Sequence, residues 1–141
     1  MQNRDRILAK IDELQGYIKE LREIKPTSYE KYSGSIEKRR SVERLLQISI
    51  ECVLDICSLI GSGLKLGLPS SEQNLLDEIE SANLFQTTTV RKIKAMRAFR
   101  NILVHRYGRV DDAAVFRSLT EELPDFDKVV QETLELLKHQ T

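Results

Sequence analysis

Residues 45–60 read Leu45-Leu46-Gln47-Ile48-Ser49-Ile50-Glu51-Cys52-Val53-Leu54-Asp55-Ile56-Cys57-Ser58-Leu59-Ile60. Apolar side chains occupy this stretch nearly all the way round a helical turn, with none of the strict alternation of a half-buried strand. A helix apolar on every side has to be surrounded by other elements, so the helix predicted over about Ile36–Ile60 is the centre of a bundle. Its first turns differ: Lys38, Arg39, Arg40 and Arg44 make them basic, and this cluster reads as a solvated face in preference to a ligand contact.

On the N-terminal side, Ile7, Ile11, Leu14, Ile18 and Leu21 recur at spacings of four and three among charged residues, which predicts an amphipathic helix that stops near Pro26. The stretch Thr27–Ser35 is polar and reads as a connection. On the C-terminal side, Gly61, Gly63, Gly67 and Pro69 break the chain, and Ser70 or Ser71 can cap a short acidic helix carrying Leu75, Leu76 and Ile79. Thr87, Thr88 or Thr89 can cap the next helix, predicted to reach about Arg106 before Gly108 ends it. A turn at Asp111-Asp112 leads to a short segment with Val115, Phe116 and Leu119. Pro124 then suits the first turn of a last helix with Phe126, Val129, Val130, Leu134 and Leu137 facing inward. The expectation is one all-α domain, residues 1–141, folded as an antiparallel four- to five-helix bundle.

At 141 residues and 40% apolar content the chain can bury a core without a disulfide or metal staple. Its 22 basic and 22 acidic residues cancel, which excludes a protein that coats any polyanion. No window approaches about 20 consecutive apolar residues, and the charged N-terminus lacks the apolar run of a signal peptide, so a soluble cytoplasmic protein with no membrane role is expected. Cys52 and Cys57, the only cysteines, lie about 140° apart on a helix, which suits buried free thiols better than a disulfide or shared metal. The two histidines, His105 and His139, are far apart in sequence, and no metal site is expected.

The zero sum hides a segregation. Between Val90 and Val110 stand Arg91, Lys92, Lys94, Arg97, Arg100, Arg106, Arg109 and His105, and no acidic residue. Four acids fall between Glu72 and Glu80 and eight between Asp111 and Glu135. Solvent-facing helices ordinarily mix both signs, so an acid-free window points to an anionic ligand such as nucleic-acid phosphate. On a helical wheel Ile93, Ala95, Met96, Phe99, Ile102 and Leu103 form an apolar arc toward the core, and Lys94, Arg97, Asn101 and His105 form a stripe opposite it. His105 on a cationic face can exchange protons near neutrality, whereas His139 sits in a polar tail. Arg100 has a second use open to it, pairing with a carboxylate such as Glu51 or Asp55.

The run Phe99-Arg100-Asn101-Ile102-Leu103-Val104-His105-Arg106-Tyr107 resembles the Arg-x4-His-x-Tyr motif of the HEPN superfamily, and within it the HepT-type toxins. Met96 fits the same pattern, as do Arg39-Arg40-Ser41-Val42-Glu43-Arg44-Leu45-Leu46-Gln47 with Ile50-Glu51, and Gly67-Leu68-Pro69. The resemblance covers nearly the whole chain.

What it implies is a HEPN-like bundle forming a C2 homodimer and acting as a metal-independent endoribonuclease without cofactor. Such a toxin belongs to a type VII toxin–antitoxin pair, whose antitoxin is an MNT-type minimal nucleotidyltransferase. Carried over residue by residue, Arg100 and His105 would be catalytic with Asn101 assisting. Lys94, Arg97 and Arg106 would bind RNA phosphates, and Tyr107 would accept AMP from the antitoxin. RNA brings its own nucleophile, the 2′-hydroxyl, so a proton acceptor and a cation suffice. On a regular helix, however, Arg100 and His105 point about 140° apart. Either the last turn unwinds before Gly108, or the acting pair is completed across a two-fold axis. The alternative function is a non-catalytic helical module that binds a nucleotide or a nucleotidyltransferase.

Overall fold

The computed structural model describes residues 1–105 and 110–140, and every regular element among them is a helix. In chain order these are α1 (Arg4–Ile24), α2 (Tyr29–Ser33), α3 (Ile36–Gly63), α4 (Glu72–Ser81), α5 (Thr87–His105), α6 (Asp112–Glu121) and α7 (Leu123–His139). The long helices α1, α3, α5 and α7 make the bundle, and the three short ones close its flanks. As residues 45–60 require, α3 is central: it packs against α1, α2, α4, α5 and α6.

The local signals explain most boundaries. Ser28, Ser35, Ser71 and Asp111 each accept a backbone N–H at the start of α2, α3, α4 and α6, satisfying donors that a first turn leaves free. α1 stops at Ile24 ahead of Pro26, and its buried residues are Ile7, Ile11, Leu14, Ile18 and Leu21. Pro124 lies in the first turn of α7.

Gly61 departs from its expected role as a breaker, because α3 continues through it to Gly63. A Cβ on Gly61 would lie 3.2 Å from Leu75 Cδ1, so its bare backbone lets α4 seat closely on α3. That seating places the first turn of α4 beside α5. In α7 the core position predicted for Leu134 is taken by Thr133, leaving Leu134 43% exposed. The threonine hydroxyl donates to Val129 O at 2.7 Å, which removes the cost of burying it.

Among the described residues one helix, α3, is long and apolar enough to cross a membrane, with an 18-residue window of mean hydropathy 1.6. Its apolar surface here is the packing surface of the bundle, from Val42 to Ile60.

Cys52 and Cys57 are buried free thiols. Burial pushes Cys52 up to about 11 and Cys57 up to about 12, so neither forms much thiolate near neutrality. The folded chain is expected to take up no iodoacetamide in an hour at about pH 8, and the chain in denaturant to take up two equivalents, as read by intact mass.

Candidate functional site

α5 carries the predicted site residues, and its orientation differs from the wheel in an informative way. Thr89, Val90 and Ile93 are its buried residues. Continuing that face by helical spacing brings Arg97, Arg100 and Val104 over α3 and α4, so the inward side of α5 changes from apolar to cationic halfway along. Met96, Phe99 and Leu103 are half-buried against the core. Ala95 and Ile102, expected inside, are exposed, and together with Ala98 they form an outward strip. On the wheel these three lie on the side opposite Ile93, which is the residue that anchors α5 to the core.

The stripe Lys94, Arg97, Asn101 and His105 lies on the flank facing α4 and not opposite the core. Lys94 Nζ pairs with Asp77 Oδ1 at 2.9 Å and Glu80 Oε1 at 3.0 Å, and Arg97 Nε donates to Glu72 Oε1 at 3.0 Å. Lys92 Nζ reaches Asp125 Oδ1 at 2.8 Å on the other flank. The helix without acids is therefore complemented within the chain by the acids of α4 and α7, so charge segregation along the sequence is not by itself a mark of a ligand.

Arg100 is the most enclosed of these cations, its side chain 13% exposed. Its Nε donates to Asn101 Oδ1 at 3.0 Å, Nη2 pairs with Glu72 Oε1, and Nη1 lies 3.7 Å from Glu51 Oε2. Of the two carboxylates weighed for it from sequence, Glu51 is a partner, while Asp55 pairs with Lys10 at 3.3 Å. Glu72 was not foreseen. A glutamate in a first turn after a serine cap reads as a helix-dipole contact, and only the seating of α4 reveals that it spans to α5.

Arg97, Arg100, Asn101, Val104 and His105 share an open cleft of about 470 Å³ with Glu51 and Glu72. α5 stays helical through His105, which is exposed at the mouth of this cleft. One regular helix thus brings guanidinium, carboxamide and imidazole to a single cleft, although Arg100 and His105 project to different sides of it. Arg106 and Tyr107 lie outside the described residues, as does the predicted stop at Gly108. Among the described residues no group of three His, Cys, Asp or Glu is placed to hold a metal ion. His139 is exposed, 3.5 Å from Glu135 on the same helix.

The Lys94–Asp77 pair fixes a pH dependence. The hydrogen bond from Lys94, then one from Gln73, hold Asp77 below its ordinary value of 3.8, so the pair's contribution is complete above that value and fades as pH falls through the lower folded one. The bonds Lys94 donates to Asp77 and Glu80 raise it above 10.5, so its contribution is complete below 10.5 and fades only beyond the raised value. The melting-temperature difference between wild type and Asp77→Asn is expected to stay flat from about pH 5 to 10 and to shrink below about pH 3.8. A difference that changed across neutral pH would contradict this pairing.

Similarity to known proteins adds the family. A family model described as "Ribonuclease HepT-like" matches residues 14–133. The chain is 27% identical over 116 residues to the tRNA nuclease HepT of Aphanizomenon flos-aquae, covering 82% of this chain and 79% of that one. Among solved structures it superposes on the tri-AMPylated HEPN toxin of Shewanella oneidensis, in complex with its MNT antitoxin, with a TM-score of 0.82. That match is 24% identical and covers 95% of this chain and 97% of the other. Bacillus subtilis YutE, a cytosolic protein of unknown function, matches with a TM-score of 0.76 at 19% identity, over 94% of this chain and 91% of its own. These two structures establish the shared all-α fold.

Proposed function

Because the chain belongs to the HepT-like ribonuclease family, we propose that it is the toxin of a type VII toxin–antitoxin pair, a metal-independent cytoplasmic endoribonuclease silenced by an MNT-type nucleotidyltransferase. The observation that carries this reading is the cleft that Arg100, Asn101 and His105 all line at the end of α5. The AMPylated Shewanella toxin of the same fold supports silencing by AMPylation, and the motif resemblance assigns the acceptor to Tyr107.

The residue types suit cleavage of RNA by its own 2′-hydroxyl. Neutral His105 takes the 2′-hydroxyl proton as that oxygen bonds to the neighbouring phosphorus. The bond from phosphorus to the 5′-oxygen breaks, and a protonated imidazole supplies the proton that oxygen needs. Arg100 presents a planar fork to the phosphate oxygens as their charge grows, and Asn101, already bonded to Arg100 Nε, sets its direction. Lys94, Arg97 and Arg106 add cations for the flanking phosphates. The products are a 2′,3′-cyclic phosphate and a 5′-hydroxyl.

This chemistry uses two imidazoles, and each chain places one at the cleft. The outward strip of Ala95, Ala98 and Ile102 supports a C2 homodimer, since Ala95 and Ala98 let two copies of α5 approach closely, Ile102 offers exposed apolar surface to bury, and the strip runs beside His105.

Two measurements test the reading. Purified protein incubated with total RNA in excess EDTA is expected to cut it and leave cyclic-phosphate ends; products ending in a 3′-hydroxyl would overturn the mechanism, and intact RNA with retained nucleotide binding would favour a non-catalytic module. Co-expression with the nucleotidyltransferase is expected to add increments of about 329 Da, one AMP unit each, that vanish in Tyr107→Phe.

A further inference from the structure

Each nitrogen of the Arg100 guanidinium has a neighbour inside the chain: Nε donates to Asn101 Oδ1, Nη2 pairs with Glu72 Oε1, and Nη1 lies 3.7 Å from Glu51 Oε2. Glu72 Oε1 also accepts from Arg97 Nε at 3.0 Å, so one carboxylate oxygen bridges two guanidinium groups. A phosphate oxygen held by an arginine pair makes the same arrangement.

The two glutamates are similarly exposed, 37% for Glu51 and 41% for Glu72, but differ in where their backbones are anchored. Glu51 projects from the middle of α3 between buried Ile50 and Cys52, and it lies 3.7 Å from Arg100. Glu72 is the first residue of α4, its side chain 41% exposed, and it follows a connection in which Lys65 and Gly67 have positive φ. Its carboxylate can swing into solvent while Leu75, Leu76 and Ile79 keep α4 docked. The seat is cationic and part-buried while its present occupant reaches solvent, so a polyanion with more charge to offer can displace the carboxylate whereas a singly charged anion competes poorly.

We propose that Glu72 is a displaceable internal anion, filling the seat on Arg97 and Arg100 that an RNA phosphate takes, so that substrate binds by expelling it. This rests on the ribonuclease reading for the identity of the incoming anion; the competition itself does not. The free subunit then pays an occupancy penalty on every anion, which sets a threshold of charge for entry to the cleft.

Binding of inorganic pyrophosphate, measured by calorimetry, tests the competition without RNA. Glu72→Gln and Glu72→Ala are expected to bind it about fivefold tighter than wild type, Glu72→Asp to bind it as wild type does, and the gain to disappear in Glu72→Gln with Arg97→Ala. Thermal melting checks that each variant folds, and the exposed position of Glu72 leaves two independent substitutions for the purpose. Pyrophosphate binding that is unchanged or weaker in both folded variants overturns the proposal. RNA cleavage should rise in Glu72→Gln; a fall that Glu72→Asp restores would make Glu72 a positioning residue for Arg100 and would also overturn it. Tighter pyrophosphate binding with no RNA cleavage by any form would remove the ribonuclease reading and leave the competition standing.

Discussion

Replacing His105 with alanine is expected to slow RNA cleavage by at least about a hundredfold, the usual scale for losing a general acid or base, while the melting temperature stays within about 2 °C of wild type. The two readouts separate because His105 is exposed at the end of α5, away from the Thr89, Val90 and Ile93 face that anchors the helix. A large fall in melting temperature would make His105 a structural residue. The same variant tests sharing across the two-fold axis. Mixed dimers of one wild-type and one His105→Ala chain should be nearly inactive if both imidazoles act on one phosphate, and half-active if each chain works alone.

How far the sequence reached depends on whether a signal was local. The core of α1 and the centrality of α3 follow from periodicity, because burial there is decided by each helix's own pattern. α2 was invisible: five residues in a polar stretch form a helix because Ser28 caps them and because Tyr32 is buried against Phe116, ring centroids 5.7 Å apart, more than eighty residues on. The site shows the same division. Arg100, Asn101 and His105 could be placed on one helix from their spacing. The partners of the cations could not, because Lys94 and Arg97 meet Asp77, Glu80 and Glu72 only once the bare backbone at Gly61 lets α4 settle against α3. The wheel went astray for a related reason: with Met96, Phe99 and Leu103 apolar it assigned Ala95 and Ile102 to the core, whereas cations that find carboxylate partners can occupy an inward face.

Arg100→Lys is expected to cost about a hundredfold in cleavage although the charge is kept. A guanidinium addresses Asn101, Glu51 and Glu72 from three different nitrogens, and an ammonium on a flexible stem cannot reproduce that fork or offer two parallel donors to a phosphate. Arg100→Ala should lose at least as much activity and also about 1 kcal/mol of stability, a fall of roughly 4 °C in melting temperature. The stability cost stays small because the side chains of Glu51 and Glu72 are 37% and 41% exposed, so water can hydrate the carboxylates left behind. If that cost comes from a stranded carboxylate and not from lost packing, the effects will not add: Glu72 keeps Arg97 whereas Glu51 loses its cation, so Arg100→Ala combined with Glu51→Gln should melt above Arg100→Ala alone. Equal melting temperatures for the single and double variants would instead assign the loss to the aliphatic stem of Arg100 packed in the cleft. Activity and stability would then depend on different parts of one side chain, the fork and the stem.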